Sequence, residues 1–153
     1  MTHAPRNSAT VFTDLAVGKS PTGLAMADLN ADGNPDLVVV NRLDNTLSVL
    51  LGQTGGSFAS AVSYNVGTEP MHLALSDLDG DGRLDAVVAN SGSATVSILR
   101  GQAGGGLLVT DTVPVGMQPQ AVVVTDIDGD GQKDILVGNN GSGNVTILFG
   151  KKP

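Results

Sequence analysis

Several residue types are scarce or missing, and each absence removes a class of function. The 153 residues include no cysteine and no tryptophan, with one tyrosine and three phenylalanines. Without cysteine the chain has no disulfide, no thiolate zinc site and no cysteine nucleophile. The few aromatic rings leave few platforms on which sugar rings or bases could stack. No apolar run reaches the length of a membrane span, so membrane insertion is not expected.

Positive charge is also scarce. Eight Lys and Arg stand against fifteen Asp and Glu, which gives a formal net charge of -7. That sign is wrong for a nucleic-acid partner. The opening stretch MTHAPRNSAT has no apolar core of the kind found in signal peptides, so we expect a secretion signal to be absent or already removed.

The acidic residues are clustered rather than scattered. Eleven of the fifteen lie in three nine-residue windows, DLNADGNPD (28–36), DLDGDGRLD (77–85) and DIDGDGQKD (126–134). Carboxylates crowded this closely repel one another unless a cation lies among them. The windows are therefore candidate cation sites.

The three windows belong to an internal repeat with a period of 49 residues. The pattern VG-x-x-P recurs at 17–21, 66–70 and 115–119, and matching positions hold Asn41, Asn90 and Asn139, and Gly52, Gly101 and Gly150. A fixed period of this length indicates stacked copies of one supersecondary unit. The repeat leaves no room for a second domain.

Each copy has the pattern of four short strands. An apolar segment such as MHLALS precedes the acidic window, a β-branched run such as DAVVAN follows it, and an alternating segment and a more polar one complete the copy. Runs of this kind are typical of strands buried on both faces, and the polar segment suits an outer edge. Four strands in one repeat predict one blade of a β-propeller. The predicted fold is therefore an all-β propeller with three four-stranded blades per chain.

The blades are predicted at about 21–66, 70–115 and 119–150, with an additional strand at 10–17 and tails at 1–9 (flexible) and 151–153. Propellers have four or more blades, and three alone leave open strand edges. A homodimer would form a six-bladed ring in which strand 10–17 completes the partner's third blade, and this oligomer is favoured. The alternative is that the sequence is one piece of a longer ring.

The loop pattern D-x-[DN]-x-D-G-x-x-D predicts calcium ligands. It places oxygen-bearing side chains at positions 1, 3, 5 and 9 and a glycine at the sharp turn of position 6, while position 7 would contribute its backbone carbonyl. Calcium binds about six to eight oxygens in a flexible shell, whereas magnesium prefers a strict octahedron. We predict three Ca²⁺ per chain, held by Asp28, Asn30, Asp32, Asn34 and Asp36, by Asp77, Asp79, Asp81, Arg83 and Asp85, and by Asp126, Asp128, Asp130, Gln132 and Asp134.

The loop pattern has three other interpretations. An EF-hand would require an acid at position 12, where the sequence has valine (Val39, Val88 and Val137), and flanking helices. A calcium β-roll would require GGxGxD repeats, which are missing. Plain Asp/Gly turns that bind nothing remain as the third interpretation, and three copies with matched spacing argue against it.

The segment DLDGDGRLDAVVANSGSATVSILRGQ (77–102) resembles the FG-GAP/VCBS-type repeat of bacterial secreted proteins, which is related to the propeller of integrin α-subunits. The resemblance covers roughly residues 10–150. It implies one blade per repeat, with calcium in the hairpin between the first two strands. The sequence departs from the family in keeping FG only at Phe149-Gly150 and in having Asn30 and Ala31 in the first loop.

Taken together, these features predict a calcium-binding, non-enzymatic module for extracellular protein interaction or assembly. His72 has no repeated equivalent and no triad-like neighbours in the pattern, so no catalytic residue is predicted. A calcium-dependent lectin with a glycan ligand, and an engineered or fragment propeller that self-assembles and binds only calcium, remain open. The expected location is extracellular or periplasmic, since cytosolic calcium would not fill such sites.

Overall fold

Strands and tight turns account for the chain between residues 13 and 151, the part that the computed structural model describes. Within it, thirteen strands and one 3-10 turn (Ala103–Gly105) follow one another. The strands are β1 (Pro21–Ala27), β2 (Asp36–Asn41), β3 (Thr46–Leu50), β4 (Gly52–Gln53), β5 (Ser57–Phe58), β6 (Val62–Asn65), β7 (Pro70–Ser76), β8 (Asp85–Asn90), β9 (Thr95–Gly101), β10 (Leu107–Pro114), β11 (Pro119–Thr125), β12 (Asp134–Asn139) and β13 (Asn144–Leu148). The fold is all-β, as the sequence predicts.

The strands form three antiparallel meanders in chain order. The first sheet has the order β1-β2-β3-β6, the second β7-β8-β9-β10, and the third β11-β12-β13. A separate two-stranded hairpin, β4-β5, lies between β3 and β6 along the chain. Each sheet therefore has the strand order of a propeller-like blade.

The first strand of every sheet begins in the same way. Pro21, Pro70 and Pro119 open β1, β7 and β11, and a bulge follows each of them within two residues. Proline has no backbone N–H, so the start of a strand is one of the few places in a sheet that tolerate it. The repeated proline thus fixes where each sheet starts.

The sheets pack face to face through the β-branched central strands. Because side chains alternate along a strand, Val88 joins the core shared with the first sheet, while Val87 joins the core shared with the third sheet. All six residues of β8 are buried. The prediction that these runs are buried on both faces is correct for this strand.

The first strands of successive sheets are neighbours, since β7 contacts both β1 and β11. This arrangement places β1, β7 and β11 on the inner side of the array and β6 and β10 on the outer side. Within the described residues the three sheets form a row that does not close into a barrel.

One detail differs from the sequence-based expectation, because the hairpin β4-β5 was not predicted. The third sheet has three strands in the described part of the chain, as expected of a blade whose fourth strand comes from another copy. The strand predicted at 10–17 is not formed by residues 13–17 of the single chain, and its first three residues lie outside the described range, as does the 1–9 tail. Since this strand was expected to pair with a second copy, it stays a prediction.

Candidate metal centre

The three acidic windows form the turns between the first two strands of each sheet. β1 ends at Ala27 and β2 begins at Asp36, and the other two copies follow the same scheme. The position-6 glycines, Gly33, Gly82 and Gly131, all have φ near 85°. This left-handed conformation is open to glycine at little cost, so the loop can turn sharply there.

The first aspartate of each loop accepts hydrogen bonds from the loop backbone. Asp77 Oδ1 accepts the N–H of Gly80 at 2.8 Å, and its Oδ2 accepts the N–H of Gly82 at 2.9 Å. Asp126 accepts the equivalent N–H groups of Gly129 and Gly131, and Asp28 accepts those of Asp32 and Gly33. Burial of Asp77 raises its pKa, but the backbone N–H donors, led by Gly82 and Gly80, outweigh this effect and hold the pKa below its ordinary value. The loop therefore favours a charged carboxylate at this position.

Positions 3 and 5 also have their oxygens turned toward the loop. Oδ1 of Asp79 and Oδ1 of Asp128 each accept the N–H two residues later at 3.2 Å. Oδ1 of Asp32 accepts the N–H of Asn34 at 2.7 Å, and this bond, helped by the Asn30 side chain, lowers the pKa of Asp32. A carboxylate oxygen has two lone pairs, so these bonds leave capacity for a cation.

The closing aspartate has a structural role that the sequence pattern did not predict. Asp36, Asp85 and Asp134 are buried, and both oxygens of each accept backbone N–H groups. In the second sheet the donors are Leu78 at 2.9 Å and Gly101 at 2.8 Å. The same pairs of bonds recur in the other two sheets. The residue thus joins its own strand to the loop and to the end of the third strand.

The signal for this role is the repeated glycine that lies at the end of the third strand of a sheet or within two residues after it. A Cβ on Gly101 would lie 2.5 Å from the backbone oxygen of Leu84, and one on Gly150 would lie 2.5 Å from that of Lys133. Only glycine lets this backbone approach the loop closely enough to donate its N–H. The sequence shows that glycine recurs at this repeat position (Gly52, Gly101 and Gly150). It does not show that the N–H of this glycine donates to the closing aspartate 16 positions earlier.

Two of the three loops bring three carboxylates together. Oxygens of Asp77, Asp79 and Asp85 lie within 4.8 Å of one another, as do those of Asp126, Asp128 and Asp130. Both groups could hold a metal ion, and their all-oxygen donor set suits a hard cation such as calcium. Among the described residues, the first loop forms no such group. Three sites per chain therefore stay a prediction, and two acidic clusters are observed.

The first loop differs because an amide replaces a carboxylate. Asn30 Nδ2 donates to Asp32 Oδ2 at 2.9 Å, and Asn34 Nδ2 donates to Asp32 Oδ1 at 3.0 Å. Two neutral amide groups thus donate hydrogen bonds to one carboxylate, that of Asp32. The first loop keeps its shape with three carboxylates, whereas each of the other two loops has four.

The second loop differs in its ion pairs. Arg83, at position 7, forms an ion pair with Asp81, and Arg100 of β9 forms ion pairs with Asp85 and Asp79. The third loop has Gln132 at position 7, whose N–H donates to Asp130 Oδ1 at 2.7 Å. The sequence pattern gave Arg83 and Gln132 only a backbone role in metal binding, which stays a prediction.

Away from the loops, His72 accepts a long hydrogen bond on Nδ1 from the N–H of Val122, at 3.4 Å. This contact joins the second and third sheets. Between residues 13 and 151, no helix has the length and apolar character needed to cross a membrane.

Solved structures of low sequence identity share this fold. A protein of unknown function from Desulfotomaculum acetoxidans matches with a TM-score of 0.60 and 20% identity over 87% of this chain and 42% of its own. A protein from Lactobacillus plantarum matches with a TM-score of 0.52 and 20% identity over 91% of this chain and 46% of its own. The chain therefore spans less than half the length of either structure. No curated protein matches the sequence.

The repeat itself matches a known family model, described as the FG-GAP-like repeat. The model aligns once with residues 28–88 and again with residues 77–137. Each match starts at the first aspartate of one acidic loop and ends in the strand after the next loop. Because the two matches together span most of the chain, and because the loops and blade-like sheets repeat in the same register, this protein belongs to the FG-GAP-like repeat family.

Proposed function

We propose that this protein is a calcium-binding, non-enzymatic repeat module that works outside the cytosol, in extracellular or periplasmic assembly or protein interaction. The observation that carries the proposal is the convergence of three carboxylates in the second loop and in the third. Extracellular calcium modules bind at roughly 10⁻⁴–10⁻³ M, a range that suits exposed loops of this kind.

Calcium in these loops would be structural. Asp85 belongs to the carboxylate group of the second loop, and it also accepts hydrogen bonds from the loop and from the end of β9. An ion held by this residue would therefore brace three segments of one sheet together. The three aspartates of the group would supply binding oxygens, and Asp81, the fourth acid of the loop, forms an ion pair with Arg83. At about millimolar calcium, each such site would add on the order of 1 kcal/mol to the free energy of unfolding.

The test is thermal unfolding with excess calcium and with EDTA. We expect calcium to raise Tm, and magnesium at the same concentration to raise it less. Asp128→Asn removes one of the three grouped carboxylates of the third loop and should reduce the rise of Tm that calcium causes. Asp111→Asn makes the same change of charge on the exposed strand β10, outside the loops, and should leave the rise intact. An unchanged Tm after EDTA treatment would contradict the proposal.

The assembly partner that the geometry supports is a second copy of the chain. Leu24 on β1 is 65% exposed, whereas the residues at the same repeat position in the other sheets, Leu73 and Val122, are 5% and 2% exposed. At the other end of the row, Val145 is 62% exposed, and its equivalents Leu47 and Val96 are fully buried. The exposed faces of the first and last sheets therefore match the two faces that neighbouring sheets within the chain pack against each other.

Joining these faces between two chains would form a six-bladed ring. Further blades of a longer polypeptide could cover the same faces, as the greater length of the two matched structures allows. In both arrangements, we expect the polypeptide that covers these faces to be a blade of the same family. The exposed side chains occupy repeat positions that are buried between blades elsewhere in the chain. The mass of the particle in solution separates the two arrangements.

A further inference from the structure

Arg100 directs its guanidinium group at the second acidic loop. Its Nη1 lies 2.7 Å from Oδ2 of Asp85 and 3.3 Å from Oδ2 of Asp79. These two carboxylates and Asp77 form one of the two groups that could hold a metal ion. A fixed positive charge of the protein therefore contacts two of the three carboxylates of that group.

The repeat shows that this contact is specific to the second loop. The positions that correspond to Arg100 are Leu51 in the first repeat and Phe149 in the third, and neither side chain carries a charge. Among the described residues, ion pairs to the loop acids occur in the second loop alone. The three loops share a backbone scheme but differ in the ion pairs that their carboxylates form.

The burial of Asp85 makes the contact significant. The carboxylate is 1% exposed, and its oxygens already accept the N–H groups of Leu78 and Gly101. A buried carboxylate without a positive partner is costly, and charge-assisted bonds to arginine are among the strongest hydrogen bonds in proteins. Arg100 therefore adds a charge-assisted bond to a buried carboxylate whose other described partners are backbone N–H groups.

A divalent cation at the same carboxylates has to overcome this arrangement. Either the guanidinium leaves Asp85 and Asp79, which loses two ion pairs, or it stays and repels the incoming ion. In both cases part of the binding free energy is spent on the change, and the apparent affinity falls. The carboxylate group of the third loop (Asp126, Asp128 and Asp130) has no such competitor in the described residues.

We propose that Arg100 is a built-in competitor of calcium, which makes the second loop fill at a higher calcium concentration than it would without this residue. The inference rests on the proposed function, since it concerns calcium binding to the same loops. At low calcium Arg100 holds the second loop together, and at high calcium the ion replaces it. The loops of one chain thus respond over a wider range of calcium concentration than identical loops would.

The experiment follows each loop separately in a calcium titration by two-dimensional NMR of the full-length protein. The amides of Gly82 and Gly131 report on the second and third loops, because each donates to the first aspartate of its loop. In Arg100→Leu, which carries the residue of the first repeat, the midpoint of the Gly82 response should shift to about tenfold lower calcium. The midpoint of Gly131 should not change, which also shows that the variant is folded.

Arg42→Leu is the matched control. It removes an ion pair of 3.1 Å with Glu69, outside the acidic loops, and should leave the Gly82 midpoint at its wild-type value. A second measurement uses EDTA, where Arg100→Leu should lower Tm because Asp85 loses its positive partner, whereas in saturating calcium the loss should be smaller.

The outcomes separate the two proposals. If Gly82 and Gly131 respond to calcium but Arg100→Leu leaves the Gly82 midpoint unchanged or raises it, the role of Arg100 is overturned and the proposed function stands. If neither glycine responds in the wild type, calcium binding itself is overturned, and the role of Arg100 with it.

Discussion

Ala31 takes a left-handed backbone conformation, with φ of 58°, at a loop position where the other two copies have Gly80 and Gly129. A residue with a Cβ is strained there by about 1 kcal/mol. Ala31→Gly should therefore raise the free energy of unfolding by roughly 0.5–1 kcal/mol, measured by urea denaturation.

The control for this prediction is Ala94→Gly. Ala94 has φ of 53° in the turn between β8 and β9, where the third copy has Gly143. The Ala94→Gly variant should gain stability by a similar amount, with and without calcium, since residue 94 lies outside the acidic loops. A loss of stability in both variants would show that the left-handed alanines are not strained.

Asp134 links the acidic loops to the pH dependence of stability. The N–H groups of Ile127 and Gly150 hold its pKa below the ordinary value of 3.8. Because the folded pKa is the lower one, the stabilisation is complete above pH 3.8 and is lost as the pH falls through the folded pKa. Asp32 and Asp77 shift in the same direction.

In EDTA, the free energy of unfolding should therefore begin to fall as the pH drops below about 4, and it should keep falling as the pH approaches the lower folded pKa. Asp134→Asn should be less stable at pH 7, since an amide NH₂ would face a backbone N–H, and its stability should depend less steeply on acid. Chemical denaturation at several pH values measures both effects. An equally steep fall in the variant would exclude Asp134 as a source of the dependence.

At the scale of the strand and its turns, the sequence predicted what depends on local pattern. The β-branched runs located β2, β8 and β12, and polarity located the outer strands, because both signals act over neighbouring residues. The bond from Gly101 to Asp85 and the approach of Arg100 to the same residue could not be predicted in this way. Both depend on how β9 lies beside β8, which only the folded sheet determines.

A repeated pair of residues holds the opposite end of each sheet. Asn90 is buried and donates from Nδ2 to Thr95 and Ser97, while Gly67 lies directly against its side chain. A Cβ on Gly67 would come within 2.6 Å of Asn90 Cγ. Gly67→Ala should therefore displace the asparagine and lower the free energy of unfolding by about 2 kcal/mol, measured in urea.

Gly138→Ala provides the matched control for Gly67→Ala. A Cβ on Gly138 would meet only Ala121, at 3.6 Å, and the second repeat already has Ala89 at that position. This variant should be as stable as the wild type or slightly more stable, because alanine restricts the unfolded chain. Equal destabilisation of the two variants would mean that contact with Asn90 is not the cause.

At the scale of the whole molecule, the repeat predicted matching sheets but could not distinguish inner faces from end faces. Leu24 and Leu73 are the same residue type at the same repeat position, and only their exposure in the folded chain separates them. The number of blades in a ring therefore depends on how the end sheets of the chain contact other blades, and the repeated sequence does not determine this number.

Pairing of the end faces predicts a particle mass. Light scattering of the purified chain should give about twice the monomer mass of 15.4 kDa. In a six-bladed ring each of the two interfaces joins the face of Leu24 to the face of Val145, so Leu24→Arg and Val145→Arg should each produce monomers. Leu43→Arg alters an equally exposed leucine in the turn between β2 and β3, and should keep the wild-type mass. A wild-type monomer would exclude pairing of the copies, and three times the monomer mass would replace six blades by nine while keeping the same two faces in contact.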